Sequence, residues 1–259
     1  LPNHKTKIGI LGCGIVGGAN RKVFKKFGFD VRVHDIKLKT KISNMHQCDI
    51  VIVCLPTPTL GNGDCDTSKI TQYLKYFDDI RFKGIIMIRS TVLPGFTTQS
   101  QKRFKGLKIC FSPEFLRDKH AYTDLINSNF LPIGTKDDTV FRKIKSIHKP
   151  FVKKIIKVHP TEAEIIKYTN NLIACNKIIF ANIISKVAKK NKCDYKNIKN
   201  SMVALGRFSD NYLEVDDKHR GFTGKCLPKD IKSFTKYCDV QGIDFQLFKA
   251  IIDDNKKFI

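Results

Sequence analysis

The chain has 259 residues, 42% of them hydrophobic, and 47 Lys and Arg against 24 Asp and Glu give a formal charge of +23. That length holds one large or two modest domains, and the apolar content suffices for a buried core, which excludes disordered, collagen-like and coiled-coil chains. No uninterrupted apolar run approaches the roughly 20 residues that cross a bilayer, and the first residues carry no signal-peptide core, so a soluble protein with no membrane partner is expected.

In chain order the pattern predicts a strand over Lys7 to Leu11, a helix over Ile15 to Phe27, and strands over Val31 to His34 and Ile50 to Cys54. A helix from Asp66 to Ile80, strands over Ile85 to Ile88, Lys108 to Phe111 and Phe130 to Ile133, and a helix over Asp137 to His148 continue it. Short, continuously apolar strands alternating with helices imply a parallel sheet covered on both faces, so residues 1–160 read as an α/β, doubly wound, Rossmann-type domain. The rhythm changes at Pro160. Thr161 followed by Glu164 reads as a capping box. From there Ile165, Ile166, Thr169, Leu172, Ile173, Asn176, Ile179, Ile183, Ile184 and Val187 recur at helical spacing through Lys190, one helix about 45 Å long. Its apolar surface is wider than one stripe needs, which leaves two readings: a core helix within the chain, or a homodimer through 161–190. Residues 161–259 are therefore expected to form an all-helical central domain built on this helix, closing with a helix over Phe245 to Lys257.

Gly12-Cys13-Gly14-Ile15-Val16-Gly17 is a GxGxxG turn between a predicted strand and a predicted helix. Such glycines permit a tight turn, let the backbone approach a pyrophosphate, and let helix and strand pack closely. Asp35 ends the second strand, where a carboxylate accepts from the ribose hydroxyls of NAD and repels a 2′-phosphate, so NAD is expected over NADP. Leu55-Pro56-Thr57-Pro58 follows the third strand and Arg89-Ser90-Thr91 the fourth, both at the carboxyl edge where open α/β sheets bind ligands. In Gly221 to Asp230 (GFTGKCLPKD), Pro228 suits the first turn of a helix and places Cys226 just ahead of its N-terminus. The helix dipole there, with Lys225 and Lys229, favours a thiolate, and Asp230 can face it. Lys167 and Asn171, four apart, share a helix face; a Lys there can move protons and an Asn amide can donate to an oxyanion.

The basic residues are mostly Lys and are spread along the whole chain, which reads as a solvated basic surface; nucleic acid is not the expected partner. The nine cysteines, from Cys13 to Cys238, show no CxxC pair and no zinc-finger spacing, so a reducing, cytoplasmic setting and no metal are expected.

Taken in order, GCGIVG, CLPTP, RSTVLPG, SPEFLRD (112–118), EAEIIKYTNN (162–171) and GFTGKCLPKD resemble the nucleotide-sugar dehydrogenases, typified by UDP-glucose 6-dehydrogenase, from about Lys5 to Ile259. The resemblance implies NAD-dependent, four-electron oxidation of the primary alcohol of a UDP-sugar, UDP-glucose first, through a thiohemiacetal and thioester on Cys226. By position it assigns proton handling and oxyanion stabilisation to Asp230, Lys167 and Asn171, and water activation to Thr91 and Glu114. It places Glu114, Phe115, Leu116, Arg117, Tyr212, Leu213 and Gly221 along the substrate, Arg207 across a dimer, and Asp118 and Ser90 at the cofactor. Thr223 stands where the family has glycine, and Asp118 where a second glutamate is common. The stretch from Asp35 to Cys48 is shorter than usual, and a third, nucleotide-binding domain of the family lies outside this sequence. A member that binds NAD and dimerises without turnover is the alternative.

Overall fold

The computed structural model describes residues 6–218 and 220–259. Lys5, where the resemblance begins, lies outside them. Strands β1 (Lys7–Leu11), β2 (Asp30–His34), β3 (Ile50–Val53), β4 (Ile85–Ile88), β5 (Lys108–Phe111), β6 (Phe130–Gly134) and β7 (Lys154–Val158) form one sheet in the order β2-β1-β3-β4-β5-β6-β7. Alternate residues feed two cores. Ile8, Ile10, Ile50, Ile52 and Met87 join one, under helices α1 (Ile15–Lys26) and α5 (Asp138–His148). Leu11, Val51, Val53, Ile86 and Ile88 join the other, with α2 (Ser68–Asp79). This period of two with both faces covered is the physical meaning of the continuous apolar strands.

The sheet departs from the expected uniform direction at one place. β1 to β5 are parallel, but β5 meets β6 at a single antiparallel pair, Phe111 with Gly134, and β6 and β7 are parallel only to each other. Between β5 and β6 the only α-helix is α4 (Ala121–Ile126), after α3 (Phe96–Arg103) has preceded β5. Six residues rise about 9 Å, too little for the crossover that returns a chain to the start of a parallel neighbour.

The chain divides into two compact units. The first comprises the described residues up to Pro58 together with Cys65–Lys167. The second comprises Thr59–Asp64 and Tyr168–Ile259. Helix α6 (Pro160–Lys190) contributes to both, and the second unit adds α7 (Tyr195–Ala204), α8 (Leu227–Val240) and α9 (Leu247–Lys256). Within it, the Thr59 hydroxyl donates to the Lys229 carbonyl at 3.4 Å and shares a 3.2 Å hydrogen bond with Ser233, which fixes the short inserted segment to α8.

α6 has the predicted length, and of the apolar residues at helical spacing Leu172 and Ile179 are buried. Its inward positions are Ala163, Glu164, Lys167, Tyr168, Asn171, Leu172, Ala174 and Cys175, whereas Ile165, Ile173, Phe180, Ile183 and Val187 stand exposed along one stripe. It is 31 residues long and contains an 18-residue window of mean hydropathy 1.2, so it is long and apolar enough to cross a membrane by length and composition alone, although half of that window is buried in the protein. Apolar residues interleaved with buried polar ones produce this value without any long uninterrupted run.

The capping box is also corrected. Glu162, not Glu164, reaches back to the start of α6, accepting from the His159 amide at 2.7 Å. Glu164 is fully buried and accepts from the amides of Gly95 (2.5 Å) and Thr97 (2.8 Å), so it caps the N-terminus of α3 instead. Burial raises its carboxyl above the usual range against the pull of those donors. Glu164→Ala strands two buried amides and is expected to lower stability by about 2–3 kcal/mol, with Glu164→Gln intermediate, read from urea midpoints.

Candidate active site

The order of the sheet creates a candidate dinucleotide site in the first unit. From β1 the chain moves to one side for β2 and to the other for β3, so the carboxyl ends of β1 and β3 flank a point where the winding reverses. The glycine turn sits there. A Cβ at Gly17 would lie 1.9 Å from the Gly12 carbonyl oxygen, so only glycine lets α1 approach β1 this closely. A Cβ at Gly14 would meet no protein atom within 4 Å, and no side chain caps the first turn of α1, where Ile15 is exposed and Val16 half-buried. Open space above a glycine next to uncapped helix amides fits a pyrophosphate. Asp35 is held beside the turn by the Cys13 amide at 2.6 Å and the Lys37 amide at 2.7 Å. These amides, Cys13 foremost, hold its carboxyl below the usual range, so it presents an acceptor to a ribose.

The neighbouring loops are braced internally. Thr57 is buried and its hydroxyl donates to the Thr91 carbonyl at 2.8 Å, while the Ser90 hydroxyl donates to the Val53 carbonyl at 3.3 Å. Leu55 packs on the second core, and Pro56 and Pro58 are exposed. These hydroxyls therefore set loop shape, a role that residue type alone did not reveal. Lys167 binds Glu114 twice, at 2.8 Å to its carbonyl oxygen and 2.9 Å to its carboxylate, with the Phe115 ring 5.8 Å from the ammonium. Burial pushes the Glu114 carboxyl up, but the Lys167 ammonium, the Leu116 amide at 2.7 Å and the Arg89 guanidinium outweigh it and hold it below the usual range. Arg117 is engaged by Asp124 through a bidentate pair at 2.7 and 3.0 Å, and Asp118 opens an exposed 3₁₀ turn.

One polar pair escaped the sequence reading. Arg89 is buried at the end of β4 and donates to His148 Nε2 at 3.1 Å, while His148 Nδ1 donates to the Ile144 carbonyl at 2.8 Å. Burial and Arg89 push the His148 pKa down to about 3, so the ring is neutral and can accept from the guanidinium. The available signal was a charge directly after four buried apolar residues, Ile85–Ile88.

The second unit carries a polar cluster of its own. Asn171 donates from Nδ2 to Asp230 at 2.6 Å and its oxygen accepts from Asn170 at 3.0 Å. Asp230, 1% exposed in the first turn of α8, also pairs with Lys229. The Lys229 ammonium thus braces Asp230 at the start of α8. Cys226 is the N-cap of α8 and is exposed; the next residue's carbonyl, Leu227, accepts from the Cys175 thiol of α6 at 3.9 Å. No disulfide joins any of the nine cysteines. Burial pushes Cys54 and Cys175 to about 12 and Cys48 to about 11, and of the exposed pair, Cys193 and Cys226, only Cys226 heads a helix. Leu213 is buried and its carbonyl accepts from Tyr195 at 2.8 Å, while Lys199 pairs with Asp210 at 3.0 Å, which leaves Arg207 and Tyr212 exposed on a braced loop. Thr223 takes no left-handed backbone angle; Gly224 does, at φ +86°, so the departure from glycine at 223 introduces no strain.

Two outcomes follow from this geometry. Gly17→Ala forces α1 off β1 and is expected to weaken dinucleotide binding at least tenfold by calorimetry, roughly the loss of one good contact of about 1.4 kcal/mol. Glu114→Gln is expected to destabilise the protein by about 2 kcal/mol at neutral pH. Because the folded carboxyl lies below its unfolded value near about 4.3, that difference persists above this pH and disappears as the pH falls through the folded value, read from paired urea titrations.

Comparison with known proteins identifies the family. Residues 36–152 match the UDP-glucose/GDP-mannose dehydrogenase family, NAD binding domain, and residues 161–257 match the central domain of the same family. UDP-glucose 6-dehydrogenase TuaD of Bacillus subtilis is 28% identical over 223 residues, 83% of this chain and 48% of that protein. The Rickettsia conorii UDP-glucose 6-dehydrogenase is 26% identical over 221 residues, 83% of this chain and 50% of its own length. The chain thus spans about half the length of the curated relatives it matches. In fold it is similar to a UDP-glucose dehydrogenase from Pyrobaculum islandicum, with TM-score 0.88 at 22% identity, covering 99% of this chain and 70% of that one. The cofactor is NAD, and the chain belongs to the UDP-glucose/GDP-mannose dehydrogenase family.

Proposed function

We propose that this chain carries the NAD-binding and cysteine-bearing parts of a cytoplasmic enzyme that oxidises the primary alcohol of UDP-glucose to the carboxylate, with Cys226 as nucleophile. The observation that carries the reading is Cys226, exposed at the N-cap of α8, one turn ahead of a buried Asp230 fixed by Asn171 and Lys229. NAD, when bound at the glycine turn and Asp35, supplies the two-electron acceptor for each of two oxidations. Asp230 and a water take the alcohol proton, while the Lys167 ammonium, held by Glu114, stabilises the alkoxide that forms. Cys226 captures the aldehyde as a thiohemiacetal, which prevents its escape, and its sulfur then holds the acyl group as a thioester until water releases the acid. The Asn171 amide, oriented by Asn170 and Asp230, donates its second N–H to the carbonyl oxygen as charge develops there. Thr91 and Glu114 order the attacking water, and Phe115, Leu116, Tyr212 and Gly221 line the sugar.

The reading includes a homodimer. The exposed Ile165, Ile173, Phe180, Ile183 and Val187 stripe of α6 is an apolar surface suited to a second copy, and Arg207 is exposed for reaching a partner's substrate.

In the full-length protein, two NADH are expected per acid formed, and Cys226→Ser is expected to stop the reaction before the acid. One NADH per turnover with full activity in the Ser variant overturns the scheme. NAD binding by calorimetry without affinity for any UDP-sugar identifies a binding protein instead.

A further inference from the structure

Residues 220–226, which lead into α8, belong to no helix or strand, yet one of them is held as firmly as a strand residue. Asn255 on α9 accepts from the Phe222 amide at 2.7 Å and donates to the Phe222 carbonyl at 2.9 Å. The side-chain amide thus stands in for a neighbouring strand and satisfies both backbone groups of one residue. Asn255 is 5% exposed and shares the buried face of α9 with Ile251, so its orientation is set by packing. Gly221 makes the approach possible: at φ +68° its Cβ would lie 2.6 Å from Asn255 Oδ1 and 3.0 Å from Ile259. Phe222 itself is buried. Downstream, Asp230 is pinned by Asn171 and Lys229. Between these two anchors only Thr223, Gly224 and Lys225, all exposed, precede the thiol.

We infer that Asn255 is a positioning residue for Cys226: its two hydrogen bonds to Phe222 hold the loop so that the sulfur stays at the N-terminal end of α8. The inference deepens the proposed function and rests on it for the role of the thiol, but the clasp and its effect on Cys226 are open to measurement without sugar or NAD. Loss of the clasp frees the segment before the N-cap, and the sulfur then samples positions away from the helix amides that favour developing negative charge.

The test labels the full-length protein with a dithiodipyridine and reads each cysteine by peptide mass spectrometry. Cys193, exposed and outside this loop, is the reference, and buried Cys175 and Cys238 report folding. Asn255→Ala is expected to lower the ratio of Cys226 to Cys193 labelling about fivefold, the size of a helix-terminus effect. Asn255→Asp keeps an acceptor for the Phe222 amide but turns a carboxylate towards the Phe222 carbonyl, so the ratio falls at neutral pH. Below about pH 4 the protonated carboxyl can donate as the amide did, and the ratio returns to that of the unmodified protein. An unchanged ratio in Asn255→Ala with Cys175 and Cys238 still protected overturns the inference. So does an Asp variant whose ratio stays low on acidification. If the ratio responds as expected while NADH stoichiometry fails, the clasp stands and only the oxidation scheme falls.

Discussion

A polar group taken out of water must be met by another polar group, and α6 imposes that requirement three times on one face. Glu164, Lys167 and Asn171, spaced by three and four residues, are all buried. Each recruits a different element: Glu164 the amides at the start of α3, Lys167 the carboxylate and carbonyl of Glu114 after β5, and Asn171 the Asp230 carboxylate on α8. An unpaired charge at any of these sites would cost several kcal/mol, so the partners are obligatory. Within the first unit Glu164 and Lys167 thus fix the start of α3 and the Glu114 loop to the helix, and within the second Asn171 fixes the start of α8.

The dinucleotide end obeys a different constraint, one of backbone approach. The turn after β1 must pass close enough for α1 to touch the strand, and it must leave its helix amides unobstructed. Gly17 meets the first condition and Gly14 the second. Asp35 is placed by the same turn, because the amide that fixes it belongs to Cys13, between Gly12 and Gly14. Turn path and carboxylate position are consequently not separable here: a change in the path of residues 12–14 moves the Asp35 carboxylate.

What the sequence disclosed follows from how local each feature is. β1, β3, β4 and the glycine turn are continuous apolar runs or a compact motif, and they were legible. β7 (KIIKV) has Lys at two of five positions, and α3 (FTTQSQKR) is short and buries Thr97 and Ser100 in place of large apolar residues, so neither showed a periodic signal. Partners far apart in the chain were less legible still. Arg89 and His148 are separated by 59 residues, and Glu164 resembles a local cap while serving amides 67 and 69 residues away. The chemistry of Cys226, Lys167 and Asn171 was approachable because residue types and spacing restrict what they can do. The loop braces at Thr57 and Ser90 were not, since a hydroxyl looks the same whether it faces a ligand or a carbonyl.

α6 also inverts the usual distribution of its residues, and the inversion has one cause. Its inward face is crowded by Ala163, Ala174 and Cys175, small enough to admit neighbouring helices, and by polar groups that need partners there. Large aliphatic side chains at those positions would displace the very groups that α6 orients. Ile173 (54% exposed) and Phe180 (55% exposed) are left on the opposite side, where in the single chain they face water. A sequence periodicity that follows the largest apolar residues therefore divides between the two sides of this helix, Leu172 and Ile179 inward and Ile173 and Phe180 outward, and the polar part of the inner face is found by asking where its buried ammonium, carboxylate and amide obtain their hydrogen bonds.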